Sequence, residues 1–394
     1  MDRFATDILV IGGGPAGMSA AIAAAENGAG RVTVVDDNPY LGGQIWRAEM
    51  GRIGSPLADK IVEQVYSGEI DVLNSVNIFA QNSEKSLLGE HSNGSFEFRY
   101  NKLILATGAR ERFLPFEGWT LPNVFGAAGL QALVKSGMPV EDKKVIVSGT
   151  GPLLLAVAEY LKKKGARVPL ILEQTSRSNL AKFGFKLLSA PGKLAEALKL
   201  MVSIKDTSYS PNSIVTSAEG RENLEAVNIR QGKKQKRIEC DVLACGFHLV
   251  PNTELASLIG CKIIDSNVIV DEYQETSVKD VFCAGEPTGI GGVELSLVEG
   301  TIAGLAAVCN NARAMELFSK RKRLQGFAES INGAFSLGDE LKTLPGEATF
   351  VCRCEDVTFG ILKDYKSFRD AKLQTRCGMG ACQGRICGPA TEVL

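Results

Sequence analysis

Cysteine is missing from the first 239 residues of this 394-residue chain, and its distribution excludes two classes of protein. None of the ten cysteines precedes Cys240, whereas a disulfide scaffold would not leave half of a long chain empty. No two cysteines are spaced Cys-x-x-Cys, so the chain lacks the pair that thiol–disulfide reductases use. Five cysteines crowd into Cys352–Cys387, and this clustering predicts a metal centre.

Strong charge and long apolar runs are also missing. The formal net charge is −1, which gives no electrostatic reason to expect nucleic acid or an anionic membrane as a partner. No apolar run approaches the length of a membrane span, and no signal-peptide core precedes Ile8–Ile11. We therefore expect a cytoplasmic protein with no membrane span and no nucleic-acid partner.

The N-terminal stretch carries the signals of a dinucleotide-binding turn. Ile8–Ile11 predicts a buried strand, and Gly12-x-Gly14-x-x-Gly17 leads into a predicted helix. The first glycine permits a tight turn, the second lets a pyrophosphate approach the backbone, and the third lets the helix pack on the strand. A second strand ends at two acids that can accept from ribose hydroxyls. The residues predicted to bind the dinucleotide are Gly12, Gly14, Pro15, Ala16, Gly17, Asp36 and Asp37.

Three further turns of small residues are candidates for the same site. Gly42-Gly43-Gln44 can run close under a bound ring system, although an ordinary surface turn explains it equally well. Ala106-Thr107-Gly108 ends the predicted strand Lys102–Leu105. Gly285-Glu286 ends another apolar strand. The further candidates are thus Gly43, Gln44, Ala106, Thr107, Gly108, Gly285 and Glu286.

A second unit of the same spacing begins at Gly149. Gly149-Thr150-Gly151 follows a predicted strand, and the next strand ends at Glu173, at the distance that separates Gly12 from Asp36. Leu154 occupies the third glycine position, where a side chain is expected to push the helix off the strand. We therefore interpret this unit as degenerate or repurposed rather than as a working NAD(P) site.

The glycine motifs resemble those of the two-dinucleotide-domain flavoprotein reductases. The matching segments are Gly12–Gly17, Ala106–Gly108 and Thr276–Glu286. In that family the first motif binds the ADP half of FAD, and the last places an acid on the ribitol chain. That acid is usually Asp and here is Glu286.

Three other segments resemble a narrower subfamily, the FAD and iron–sulfur subunits of opine oxidase, D-hydroxyproline dehydrogenase and hydrogen cyanide synthase. They are Gly108–Pro115, Gly151–Ala156 and Leu249–Leu255. The resemblance implies an α/β fold with two Rossmann-like dinucleotide-binding domains and a small C-terminal iron–sulfur domain. The expected domains are residues 1–111 with 241–312 for FAD, 112–240 for the NAD(P)-binding-like domain, 313–345 for a helical linker and 346–394 for the iron–sulfur domain.

The C-terminal cysteines resemble the [2Fe-2S] domain of the bacterioferritin-associated-ferredoxin type. Four thiolates hold such a cluster, but they also suit a tetrahedral zinc ion. A flavin in the same chain favours the cluster, because zinc cannot take electrons. Spacing leaves Cys377 as a competitor, since Cys377 to Cys382 has the same gap as Cys382 to Cys387. The resemblance implies that the ligands are Cys352, Cys354, Cys382 and Cys387.

The function implied by the resemblance is electron transfer within a heteromeric amino-acid dehydrogenase, of the opine, D-hydroxyproline or glycine type. A partner flavoprotein subunit would oxidise the substrate. The resemblance also implies FMN at a subunit interface and a small ferredoxin-like subunit. It does not lead us to expect NAD(P) as a cofactor. The alternatives are a self-sufficient NAD(P)H-dependent flavoprotein reductase and a scaffold subunit that holds a nucleotide.

Histidine is scarce, and the scarcity agrees with this division of labour. His91 lies in a polar, turn-like stretch, and we expect it at the surface. His248 follows a predicted strand, and we interpret it as a packing residue rather than a neighbour of the flavin. No general base for amine oxidation can be named from the sequence.

Overall fold

The computed structural model describes residues 2–47, 55–68, 70–188 and 190–394, which form two compact units. Met1–Arg110 and Val250–Glu329 make the first unit, and Glu111–Leu249 and Ser330–Leu394 make the second. Among the described helices, none combines the length and the apolar character that a membrane span requires.

The chain combines βαβ units with runs of consecutive strands, such as β3 to β8 and β11 to β16. The strands are β1 (Asp2–Ile11), β2 (Val32–Val35), β3 (Ile70–Leu73), β4 (Asn77–Ser83), β5 (Ser86–His91), β6 (Gly94–Leu105), β7 (Ala109–Glu111), β8 (Val124–Gly126), β9 (Lys144–Thr150), β10 (Arg167–Glu173), β11 (Ser208–Pro211), β12 (Ser213–Glu219), β13 (Ala226–Gln231), β14 (Lys234–Glu239), β15 (Val242–Phe247), β16 (Leu249–Pro251), β17 (Ile263–Ile264), β18 (Asn267–Val268), β19 (Val281–Cys283), β20 (Phe350–Cys352) and β21 (Val357–Thr358). The helices are α1 (Pro15–Ala25), α2 (Pro56–Ser67), α3 (Ala127–Lys135), α4 (Leu153–Lys163), α5 (Arg177–Leu187), α6 (Pro191–Ser203), α7 (Glu254–Ile259), α8 (Val293–Ala307), α9 (Asn311–Met315), α10 (Phe318–Ala334), α11 (Phe359–Leu362), α12 (Phe368–Thr375) and α13 (Cys387–Thr391). Two short 3₁₀ helices, Glu286–Thr288 and Asp339–Thr343, complete the set.

The sheet of the first unit is parallel where it carries the glycine turn. Its order is β3-β2-β1-β6-β5-β4, and β1, β2, β3 and the end of β6 run parallel. Strand β19 also pairs in parallel with the end of β6. The apolar runs of β1 and β2 are buried, as expected for parallel strands covered on both faces.

Helix α1 packs between this sheet and helix α8. No side chain separates the backbones of the two helices where they touch. A Cβ on Gly300 would overlap the carbonyl oxygen of Ala16, and one on Gly304 would overlap that of Ala20. The two backbones therefore touch along one face, which only glycine on α8 allows. This contact fixes the position of α1 and hence of its N-terminus.

The second unit contains a parallel sheet in the order β11-β10-β9-β15-β8. Strand β15 pairs with β9 along its whole length. This pairing places β15 in the second unit, whereas the expected boundary assigned residues from 241 onward to the FAD domain. The chain returns to the first unit at Val250 because β15 completes the sheet of the second unit. The expected FAD-domain end at 312 also differs, since the first unit continues to Glu329.

Leu154, at the third glycine position of the second unit, packs into space beside Gly246. Its side chain is fully buried. Its Cδ2 atom lies 3.2 Å from the position that a Cβ on Gly246 would occupy. Gly246 of β15 therefore leaves the room that the leucine fills. The local spacing could not indicate this space, because Gly246 lies almost a hundred residues away in the sequence.

The C-terminal residues pack against the core of the second unit. Leu341 and Ala390 are buried in the same apolar cluster as Leu172 and Leu243. The indole N–H of Trp119 donates to the carbonyl of Phe350 at 2.6 Å. The predicted linker of residues 313–345 is thus divided, because its first part belongs to one unit and its last part to the other.

Candidate functional site

In the turn between β1 and α1, only one of the three motif glycines has free space where a Cβ atom would lie. Gly12 has φ +108°, and a Cβ there would overlap the carbonyl oxygen of Ala106. A Cβ on Gly17 would overlap the carbonyl oxygen of Gly12. Gly14 has φ −78°, and a Cβ there would meet only the Cα of Gly43, at 3.8 Å. The N-terminus of α1 has no side-chain cap, so its N–H groups face space that phosphates can enter.

Asp36, and not Asp37, lies beneath this turn. Its carboxylate accepts from the N–H of Gly13 at 2.5 Å and from the backbone N–H of Asn38 at 2.7 Å. Asp36 is buried, whereas Asp37 is exposed and accepts from the side chain of Asn38. The acid at the end of β2 therefore holds the turn in place.

Arg47 is a candidate ligand that the sequence analysis missed. It follows the Gly42-Gly43 turn, whose second glycine lies against Gly14. One Nη atom of Arg47 donates to the side chain of Asn38 at 2.8 Å. Its Nε atom is buried and has no hydrogen-bond partner within the described parts of the chain. A buried N–H without an acceptor is costly, and an anionic cofactor would supply one.

Hydrogen bonds to one asparagine fix the conformation of the Ala106-Thr107-Gly108 turn. The hydroxyl of Thr107 donates to the carbonyl of Asn252 at 2.6 Å, and the amide side chain of Asn252 donates to the carbonyl of Thr107 at 2.9 Å. The backbone N–H of Asn252 also donates to Gly108 at 3.0 Å. Gly108 has φ +68° and open space on its Cβ side. The turn is thus rigid on one side and accessible on the other.

Gly285 and Glu286 lie at the end of β19, as expected, but the glutamate has local partners. Its carboxylate accepts from the N–H groups of Gly291 at 3.2 Å and Gly292 at 2.9 Å. Burial raises the pKa of Glu286 above its usual range, and these two donors limit the rise. A Cβ on Gly285 would lie 2.8 Å from the Cβ of Ala16, so the loop passes directly over the start of α1.

Glu299 is a second acid of this region that the sequence analysis missed. It lies in α8, is 3% exposed, and accepts from the N–H of Gly285 at 3.0 Å and the hydroxyl of Thr288 at 3.1 Å. Burial raises the pKa of Glu299 to about 7. In the sequence, Glu299 stands alone as an acid within the otherwise small and apolar run around Gly300. This contrast could have indicated a buried acid.

Replacing Glu299 by Gln should remove a pH dependence of stability. Glu299 binds a proton more tightly in the folded chain than in the unfolded chain, so its contribution falls as pH rises from about 4.5 toward 7. The free energy of unfolding of the wild type, relative to Glu299→Gln, should fall by on the order of 2 kcal/mol across that window. Urea unfolding at several pH values measures it. Glu294→Gln, an exposed change on the same helix, is the control. A flat or rising difference contradicts the assignment.

Five thiols meet near the C-terminus, in two groups. The Sγ atoms of Cys352, Cys377 and Cys387 lie within 4.8 Å of one another, and all three residues are buried. Cys354 and Cys382 form the second, more accessible group, and the side chain of Cys354 helps to lower the pKa of Cys382. Cys387 interacts chiefly with Cys377 and Cys352 of its own group and more weakly with Cys382. Such a donor set fits an iron–sulfur cluster or a zinc ion.

The turn that follows Cys382 points backbone N–H groups at its sulfur. Burial acts to raise the pKa of Cys382, but the N–H groups of Ile386, Gly384 and Arg385 lower it below its usual range. In the other group, the contact with Cys377 and burial raise the pKa of Cys387. N–H donors to a thiolate are a common means of stabilising a bound cluster and tuning its potential.

Comparisons with known proteins agree with this arrangement. Residues 6–303 match the family model described as pyridine nucleotide-disulphide oxidoreductase. The chain is 30% identical to hydrogen cyanide synthase subunit HcnB of Pseudomonas protegens, over 96% of this chain and 89% of that protein. It is 30% identical to an opine oxidase subunit of Rhizobium meliloti, over 97% of this chain and 90% of that protein.

A solved structure extends the likeness of the fold to the C-terminal residues. L-proline dehydrogenase from P. horikoshii superimposes with a TM-score of 0.73 and 18% identity, covering 100% of this chain and 74% of that chain. The predicted α/β class with Rossmann-like folds is confirmed, and so is the resemblance stated from the motifs. Family membership implies FAD as the cofactor. The chain therefore belongs to the pyridine nucleotide-disulphide oxidoreductase family, among the relatives of HcnB and the opine oxidase subunit, and is an FAD-dependent oxidoreductase.

Proposed function

We propose that this chain is the flavin and iron–sulfur electron-transfer subunit of a heteromeric dehydrogenase acting on an amino acid or an opine. The observation that carries the proposal is the presence, in one chain, of an open dinucleotide turn at Gly14 and a cluster of three buried thiols at Cys352, Cys377 and Cys387. FAD, when bound, exchanges two electrons at once, whereas an iron–sulfur cluster passes them singly. The chain would thus convert electron pairs into single electrons.

The residues that would hold FAD are those around the first glycine turn. Gly12, Gly14, Gly17 and the N-terminus of α1 would face the pyrophosphate, with Asp36 toward the ribose. The unpaired Nε of Arg47 supports an anion close by. Thr107 and Gly108 would border the ring system, and Glu286 remains our candidate for the ribitol chain.

The names of the relatives support a partner subunit. HcnB and the opine oxidase relative are each named as one subunit of an enzyme, and the chain covers about nine-tenths of each. The acids near the first glycine turn, half-buried Glu286 and buried Glu299, are both bonded to neighbouring backbone N–H groups. Neither is a free base for removing a substrate proton, so we assign that step to a partner flavoprotein. FMN at the interface and a small ferredoxin-like subunit remain part of this proposal.

Gly14→Val should abolish flavin binding without unfolding the chain. The φ of Gly14 is ordinary and its Cβ position is free, so the folded chain tolerates the side chain. The isopropyl group would occupy the space where the pyrophosphate must lie. The measurements are the visible flavin absorption of the purified protein and the melting temperature of the apoprotein.

Gly192→Val is the matched control, because Gly192 also lies at the start of a helix with open space around it. It should keep its flavin. Full flavin occupancy in Gly14→Val would place the cofactor elsewhere.

Cys387→Ser should lose or grossly alter the cluster, whereas Cys377→Ser should keep it. We assign Cys352, Cys354, Cys382 and Cys387 as ligands, because the Cys-Gln-Gly-Arg-x-Cys string of Cys382–Cys387 resembles the subfamily. Cys377 would then be a fully buried neighbour. Iron content and the low-temperature spin resonance of the reduced protein measure the outcome. The opposite pattern overturns the assignment, and zinc without iron overturns the cluster.

Substrate alone should leave the flavin of the isolated chain oxidised. The tagged chain is purified from its native source with any bound subunits, and then again after those subunits have been stripped. Glycine, D-hydroxyproline, proline and opines are added to each sample without oxygen. The flavin absorption should bleach with one of them only in the intact complex. Bleaching in the stripped chain contradicts the division of labour.

A further inference from the structure

A short piece of the linker lies on the second glycine turn. Phe335 is 4% exposed, and its Cβ lies 3.9 Å from the position that a Cβ on Gly151 would take. Its ring meets that of Phe183 edge-on, with centroids 5.3 Å apart. Gly151 occupies the same place in the second unit as Gly14 in the first, where the nearest atom is the backbone Cα of Gly43, at 3.8 Å, and not an aromatic side chain. The two turns therefore differ in what lies over them.

Side chains at the carboxyl ends of three adjacent strands hold this segment. The hydroxyl of Thr150, at the end of β9, donates to the carbonyl of Phe335 at 3.1 Å. His248, next after β15, places its Nε2 atom 2.5 Å from the same carbonyl oxygen. In open α/β sheets, ligands bind outside the carboxyl ends of the strands, where the strand order reverses. Strands β9 and β15 are neighbours at such a point.

Gln174, the residue after β10, forms hydrogen bonds to the segment through both the nitrogen and the oxygen of its side-chain amide. Its Nε2 donates to the carbonyl of Ser336 at 2.7 Å, and its Oε1 accepts from the N–H of Gly338 at 2.9 Å. Gln174 itself is 5% exposed. The carbonyl oxygens of Phe335 and Ser336 thus receive donors from the ends of three neighbouring strands.

The acid at the ribose position of the second unit is also sequestered. Glu173 is fully buried, and its carboxylate accepts from the N–H groups of Gly151 and Thr175, each at 2.9 Å, and from the hydroxyl of Tyr209 at 3.3 Å. A ribose hydroxyl could reach this carboxylate only after the covering residues had moved.

We propose that Phe335–Gly338 is a built-in occupant of the second dinucleotide site and that its presence keeps NAD(P)H out. The carbonyl oxygens of Phe335 and Ser336 take the donors that the oxygens of a nicotinamide dinucleotide would use. The phenyl ring fills the space over Gly151 that the pyrophosphate would need. We name this segment the plug.

The plug is fastened on both sides. Helix α10 ends at Ala334, immediately before it, and the 3₁₀ helix Asp339–Thr343 follows it. Leu341 in that helix is fully buried in the core of the second unit, against which Leu337 also packs. A segment held this way is present at a high effective concentration, so a nucleotide must compete with it at a proportionate loss of apparent affinity.

The test is NADH and NADPH binding to the full chain, measured by calorimetry. Excess FAD is present throughout, so that the first glycine turn is filled. The variant Phe335→Gly/Leu337→Gly removes both apolar anchors of the plug. It should bind the reduced dinucleotide at least about tenfold more tightly than the wild type. Leu344→Gly, in the same linker but beyond the plug, is the matched control and should bind like the wild type.

Equal affinity of the wild type and the double variant overturns the proposal, whether both bind or neither does. A second measurement does not depend on the variant folding. The amide hydrogen of Gly338 should exchange slowly in the wild type, because it is bonded to Gln174. Exchange at the rate of an unstructured chain also overturns the proposal. The inference does not require the electron-transfer role, which the flavin and iron measurements test separately.

Discussion

The first unit depends on the close approach of helix α1 to the backbone around it. Gly17 lets the helix touch the carbonyl of Gly12, and Gly300 and Gly304 let α8 touch it from the other side. Any side chain at these positions would displace the helix by the width of a methyl group or more. The position of its N-terminus, and therefore the place where phosphates can bind, follows from these contacts.

The second unit solves the same packing problem differently and reaches a different result. Leu154 replaces the third glycine, and Gly246 on the neighbouring strand leaves room for it. The sheet and turn are preserved, but the linker lies where a dinucleotide would bind. A recognisable dinucleotide fold is thus compatible with the absence of a dinucleotide ligand, and its strand ends can instead anchor the segment that leads to the cysteine cluster.

The sequence predicted the features that depend on neighbouring residues and missed those that depend on distant ones. The glycine turn and the acid at Asp36 were predictable because strand, turn and helix follow one another directly. The pairing of β15 within the second sheet was not predictable, because its partners β8 and β9 lie about a hundred residues earlier. Glu299, Arg47 and the plug were missed for the same reason. Spacing also could not decide whether Cys377 or Cys387 is a cluster ligand, since both have the same gap to Cys382. Only the surroundings of the two thiols can distinguish them.

An anaerobic reductive titration of the purified chain counts the electrons that its cofactors accept. If the chain carries both FAD and an iron–sulfur cluster, it holds a two-electron and a one-electron centre. Dithionite should therefore bleach the flavin with uptake of two electrons and produce, with one further electron, the spin-resonance signal of a reduced iron–sulfur cluster. Uptake of the flavin's two electrons alone, with zinc in place of iron at the five thiols, would contradict it.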